Sequence, residues 1–232
     1  MNTNRPNSGQ MIEAAGTTEQ IRRAYDLWSY IYATVAGPLE RGPRMRGLEL
    51  ATIQPADRVL EAGVGTGAIF LEILQRGDGR NPVCGIDLSS AMLQRTMHFI
   101  RNTGYRNAGL YQADSRQLPF PDATFDVIYS SYLLDLLELK DMPRVLCEFK
   151  RVLRPGGRVV LVNLSREDSE KLTWMERFYS WLPPASVPYL LGSCRPVFME
   201  PLLRAQGFVD VTREFMRQIT HSEIVTARKP AC

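Results

Sequence analysis

The residues best placed to do chemistry in this chain gather around a glycine bend. In VLEAGVGTG, Val59 to Gly67, the acid Glu61 is followed by Gly63, Gly65 and Gly67, positions without Cβ at which a backbone can close on a ligand. Asp87 ends the next apolar run, VCGID, near the spacing at which an acid meets a ribose in open α/β folds. One carboxylate accepts both hydroxyls of a sugar, and a hydrogen bond to a charged group contributes about 1.5–3 kcal/mol. The chemistry implied is the capture of a nucleotide-like ligand. Metal chemistry is not expected: Cys84, Cys147, Cys194 and Cys232 form no C-x-x-C or Cys/His ligand spacing and are expected to be reduced thiols. The two histidines, His98 and His221, fall late in a helix and in a terminal hairpin, away from the bend.

The elements that must hold these residues follow from pattern. Arg58 to Glu61 reads as a first buried strand and Ala68 to Arg76 as the helix after the bend. Val83 to Asp87 reads as a second strand. Ser89 and Ser90 cap a helix whose Met92, Leu93, Met97 and Ile100 are expected inward. Ala108 to Gln112 and Thr124 to Ser130 supply two more strands. Met142, Val145, Leu146, Phe149 and Leu153 form a helical stripe, and RPGG reads as a type II turn into a strand from Arg158 to Asn163. Helix Val197 to Ala205 precedes a terminal antiparallel pair, Phe208 to Phe215 and Ser222 to Ala227. Ahead of the sheet, a helix from Thr17 or Thr18 to about Val35 places Tyr25, Trp28 and Tyr32 on one face. Gly37, Pro38, Gly42 and Pro43 are expected to break the chain before a second helix, Pro43 to Ala51.

Gly63, Gly65 and Ala68 alone also satisfy the dinucleotide-binding pattern. In combination with Glu61, Asp87 and RVLRPGGRVVLVN, the chain from about residue 20 to 229 resembles the class I S-adenosylmethionine-dependent methyltransferases, whose first motif is D/E-x-G-x-G-x-G. The resemblance implies an α/β, Rossmann-like, doubly wound, seven-stranded and mostly parallel sheet with a C-terminal antiparallel pair. It implies S-adenosyl-L-methionine as cofactor, held by Glu61, Gly63, Gly65, Gly67, Asp87, Leu88, Asp114, Ser115 and Ser130. Asp114 would accept from the adenine amine, and Ser130 to Asp135 would face the transferable methyl. Phe120 and Pro121 either wall the adenine or close their loop. Tyr25, Trp28 and Tyr32 are similar to the Y-x-x-x-A-x-x-Y pattern of quinone-biosynthesis and phospholipid methyltransferases, with Ser29 and Ala33 departing from it. Tyr25, Tyr32, Tyr132 and Asp135 are the candidates for orienting the acceptor or relaying its proton.

At 232 residues, with 44% hydrophobic and 23% charged residues, the composition is that of an ordinary globular protein. A net charge of +3 and the absence of a proline-proline-aromatic motif after the fourth strand argue against nucleic acid as partner. Arg41, Arg44 and Arg46 read as a solvated loop, with contact to an acidic substrate or a membrane surface as the sharper reading. Residues 1–15 are expected to be a disordered tail and 16–232 one domain. Within that domain, 17–50 form a helical cap and the aromatic stretch 165–200 a lid or acceptor insert, a dimer contact or a membrane patch. Arg195 reads as a surface arginine. Without an apolar leader or spanning stretch, a cytoplasmic protein is expected. The activity implied is methyl transfer to a small apolar or amphipathic acceptor: a quinone precursor, phenol, thiol or lipid amine. A non-catalytic adenosyl-binding protein and a dinucleotide-dependent oxidoreductase are the alternatives.

Overall fold

A computed structural model describes residues 11, 13, 14, 17–28, 32–77, 79–101, 103–166, 181, 194–218 and 221–231. Seven strands form one sheet in the order β3-β2-β1-β4-β5-β7-β6. They are β1 Val59–Ala62, β2 Val83–Asp87, β3 Ala108–Gln112, β4 Phe125–Ser131, β5 Leu153–Leu164, β6 Val209–Met216 and β7 Ser222–Arg228. β1 pairs in parallel with β2 and β4, and β4 with β5, while β7 lies antiparallel between β5 and β6. The strand order reverses between β1 and β4. Ligands bind outside the carboxyl ends of strands at such a point.

Both faces of the sheet are covered, which is why β1, β4 and β5 are apolar on both sides. On one face α5, Met142–Val152, buries Val145, Leu146 and Phe149 against Leu60, Ile128, Leu161 and Val225. α6, Met199–Ala205, joins that layer. On the other face α3, Ala68–Arg76, buries Phe70, Ile73 and Leu74 against Val59, Val83 and Val127. α4, Ser90–Ile100, is capped by Ser89, whose hydroxyl accepts from the Met92 amide at 3.1 Å. Its inward residues are Met92, Thr96 and Ile100, whereas Met97 is 46% exposed. Thr96 replaces Met97 in the core because its hydroxyl is needed at the bend, where it donates to the Gly65 carbonyl at 2.9 Å.

Several expectations are corrected. α1, Thr18–Trp28, is followed by α2, Tyr32–Leu50, which runs straight through Pro38 and Pro43. Each proline costs about 3 kcal/mol in a helix interior, yet docking outweighs it here: Leu48 and Ala51 are buried, and Gly47 lies against the sheet. A Cβ on Gly47 would sit 2.5 Å from Val162, so only glycine permits this approach. Arg41, Arg44 and Arg46 are therefore helical. Arg46 pairs with Glu214 at 2.9 Å, which ties α2 to β6. RPGG belongs to the start of β5 and keeps its turn, with Gly156 at φ +76° and a register shift between Phe125 and Val127. Met11 packs on the core, and Glu13 accepts from the Leu139 amide at 2.9 Å, so these two residues of the expected tail are seated. Of the stretch 165–200, residues 167–180 and 182–193 lie outside the described residues, and with them the expected lid. No helix among the described residues is long and apolar enough to cross a membrane.

Candidate active site

At the switch point the bend closes on itself. The amides of Gly63 and Val64 donate to the Ile86 carbonyl at 2.9 and 3.0 Å, anchoring the bend on β2. Gly63, Gly65 and Gly67 have φ of +80°, +53° and +87°. A Cβ on Gly65 would meet nothing within 4 Å, because this residue faces an open cleft. Gly67 does not line that cleft. It begins α3, and a Cβ there would lie 2.8 Å from the Thr96 methyl, so its part is close helix packing.

Asp87 lines the cleft from the tip of β2. Its two oxygens receive the Gly65 and Ser89 amides, each at 2.9 Å. Burial raises its carboxyl to about 6, against the opposing pull of those amides. Leu88, Asp114 and Ser115 continue the wall. Asp114 is gripped by Arg116, with Nη2 to Oδ2 at 2.6 Å, and Arg116 reaches on to Asp141 at 2.7 Å. Burial alone would raise the Asp114 carboxyl, but the Arg116 guanidinium reverses this and holds it below its ordinary value. Phe120 stands edge-on to Tyr111 and Phe125 at 5.3 and 5.0 Å and closes its loop against the core.

Beyond the bend, Tyr132 lines the cleft in a left-handed conformation, φ +53°, uncommon for a side-chain-bearing residue and a mark of local constraint. Its hydroxyl hydrogen-bonds Ser222 Oγ at 2.9 Å, and the Arg44 guanidinium lies 5.1 Å above its ring. Burial pushes its phenol upward, the Ser222 hydrogen bond only partly opposing.

Three further expected site residues are elsewhere. Ser130 turns inward and donates to the Ala62 carbonyl at 2.9 Å; strand alternation puts Ser131 in the cleft instead. Glu61 is buried on the α2 side of the sheet, its carboxyl raised well above its ordinary value by burial, with Arg44 opposing. Asp135 is fully buried, accepts the Leu164 amide at 3.1 Å and does not reach the cleft. Arg195, expected on the surface, is 1% exposed and donates to the carbonyls of Asp135 and Leu137 at 2.7 and 2.5 Å. It thereby fixes the segment that presents Leu133, Leu136 and Leu137 to the cleft. The side chains of Tyr25 and Tyr32 lie outside the described residues, although their backbones belong to α1 and α2.

Sequence reasoning missed several residues of the cleft. Ile21 and Arg22 close it from α1, and Arg44 enters from α2. Arg22 pairs with Asp26 at 2.8 Å, and Asp26 accepts from the Ser89 hydroxyl, so α1 is fastened to the tip of β2. The cleft encloses about 120 Å³. The only signal for these residues was the charge spacing of α1 and the arginine cluster, neither of which gives direction.

A methyltransferase-domain family model matches residues 59–157, the strands and helices that build this cleft. A phosphatidylethanolamine N-methyltransferase of Cereibacter sphaeroides is 35% identical over 68% of this chain and 75% of its own length. The chain belongs to the class I S-adenosylmethionine-dependent methyltransferases. A ubiquinone/menaquinone biosynthesis C-methyltransferase of Teredinibacter turnerae is 30% identical over 72% of this chain and 66% of its own length. Among solved structures, a phosphoethanolamine N-methyltransferase of Haemonchus contortus, in complex with phosphomonomethylethanolamine and S-adenosylhomocysteine, aligns with a TM-score of 0.69. The likeness is one of fold, at 16% identity over 88% of this chain and 57% of its own length.

The cleft of this methyltransferase fits S-adenosylmethionine by its chemistry. Asp87 supplies a carboxylate able to accept sugar hydroxyls, the Cβ-free bend at Gly65 leaves room beside it, and Asp114 and Ser115 add polar groups to the same wall. The antiparallel β7 between β5 and β6 separates this sheet from that of a dinucleotide-dependent oxidoreductase.

Proposed function

We propose that this methyltransferase acts on a small apolar or amphipathic acceptor: a quinone precursor, phenol, thiol or lipid amine. The observation that carries the reading is the wall beyond the bend, where Leu133, Leu136 and Leu137, with Ile21 from α1, line the same cleft as Tyr132. S-adenosylmethionine supplies, when bound, a methyl already activated on a sulfonium. The chain's residues then have positioning and water exclusion to perform. Holding an acceptor in line at about 3–3.5 Å accounts for several kcal/mol of barrier.

In this reading Asp87 takes the sugar hydroxyls, Leu88, Asp114 and Ser115 the adenine, and the Gly63 to Gly65 backbone the remainder of the donor. Tyr132, kept protonated at neutral pH by burial, orients the acceptor as a hydrogen-bond donor and does not remove its proton. Tyr25 and Tyr32, whose backbones belong to α1 and α2, are the proposed partners of the acceptor on the cap side. An acceptor that gives up its proton without a strong base suits such a site. The names of the two curated relatives, one a lipid-amine enzyme and one a quinone-ring enzyme, support an amphipathic acceptor. A lipid amine would be met at a membrane surface from the cytoplasm.

The test is incubation with methyl-labelled donor and extracts separated into lipid, thiol and phenolic fractions. Label in one of these fractions, lost in Asp87→Ala, is expected. Label in none of them overturns the proposed acceptor class.

A further inference from the structure

The donor cleft is not the larger concavity among the described residues. A groove of about 880 Å³ runs between the amino-terminal half of α2 and the outer face of α4, floored by Thr66 and Ile69 beside the bend. Three arginines line it, Arg41 and Arg44 from α2 and Arg95 from α4, beside His98 and one carboxylate, Asp26. Arg44 also pairs with Glu40 of α2 at 2.5 Å. Asp26 is already engaged by Arg22 at 2.8 Å and by the Ser89 hydroxyl.

The groove is also apolar at its rim, where Phe99 is 51% exposed and Pro38 stands on the α2 side. Arg44 lines both this groove and the donor cleft, so the two concavities meet at one side chain. Guanidinium forks match phosphate oxygens in geometry and charge, and a hydrocarbon chain gains by covering an exposed aromatic ring.

We infer that the groove between α2 and α4 binds the phosphate of a lipid-type amphiphile, with its apolar chain leaving along Phe99 and Pro38. The acceptor group then reaches the donor cleft past Arg44. This rests on the amphipathic-acceptor reading above and names the anionic group that such an acceptor carries.

Calorimetric titration of the full chain with dodecyl phosphate, below its micelle-forming concentration, tests it. Dodecyl phosphate binds, while dodecyl maltoside and inorganic phosphate bind at least about tenfold more weakly. Arg41→Glu and Arg95→Gln each lower dodecyl phosphate affinity by about tenfold. Both leave S-adenosylhomocysteine affinity unchanged, which shows that the variants are folded.

Equal binding of dodecyl phosphate by Arg41→Glu, Arg95→Gln and the unaltered chain overturns the inference. So does inorganic phosphate binding as tightly as dodecyl phosphate, which marks a site for free phosphate, or dodecyl maltoside doing so, which marks an uncharged groove. If no fraction takes label while dodecyl phosphate binds through Arg41 and Arg95, the acceptor reading falls and the anion site stands. If phenols or thiols are methylated while dodecyl phosphate fails to bind, the anion site falls and the acceptor reading stands.

Discussion

Asp87 carries the sharpest prediction at the residue scale. Its carboxyl is raised to about 6 in the folded chain, chiefly by burial, so it is ionised at pH 7 and takes up a proton as pH falls below about 6. A protonated carboxyl cannot accept both hydroxyls of a ribose. S-adenosylhomocysteine affinity is therefore expected to fall between about pH 7 and pH 5 by up to tenfold, and Asp87→Asn to be weaker at pH 7 and insensitive over that interval. Titration calorimetry at three pH values checks this; an unchanged slope in Asp87→Asn refutes the assignment. Asp87 was legible in the sequence because it ends a strand next to the glycine bend. Ser131 was not, because a strand shows which residues alternate but not which set faces the ligand until its pairing register is known.

The informative element is α2, since two prolines and two glycines argue locally for a break and the chain forms a continuous helix. What overrides them is docking on β5 through Gly47, where a Cβ would lie 2.5 Å from Val162 Cγ2. Gly47→Ala is expected to destabilise the fold by about 1–3 kcal/mol through overpacking. The added cost of Gly47→Ala should shrink when Val162→Ala is already present, since the smaller side chain makes room. Thermal denaturation of the two single variants and the double variant gives the coupling; strictly additive effects would show that α2 does not dock this way. The helix also carries Arg44 into the cleft and Arg41 into the groove, so its continuity decides where the cationic groups stand.

Across the whole molecule, the hydrocarbon core is built around several acids, and Asp135 is the most telling of them. Burial raises its carboxyl to about 7, with the Leu164 amide opposing. A carboxyl whose folded value lies above its unfolded value, about 3.9, contributes stability that is complete below that value. It is lost as pH rises through 7. The melting temperature of Asp135→Asn, relative to the unaltered chain, is accordingly expected to rise by several degrees between pH 5 and pH 8, at about 2–4 °C per kcal/mol. Scanning calorimetry at the two pH values decides the point; a constant difference would mean that Asp135 does not titrate there. Placing Asp135 in the interior also explains why Arg195 is buried with it, holding the carbonyls on which the cleft's leucine wall depends.

The succession of strands and helices along the chain, the glycine bend and the acid at the tip of β2 were determined by the sequence. Each rests on interactions between near neighbours: hydrophobic period, turn chemistry and capping. Only the tertiary structure decided that Ser131 faces the cleft in place of Ser130, that Asp135 and Arg195 are interior, and that Arg44 stands between the donor cleft and the groove. Those facts depend on which distant surfaces meet, and the free energy of that meeting, through buried area and close approach, exceeds the local preferences that the sequence displays.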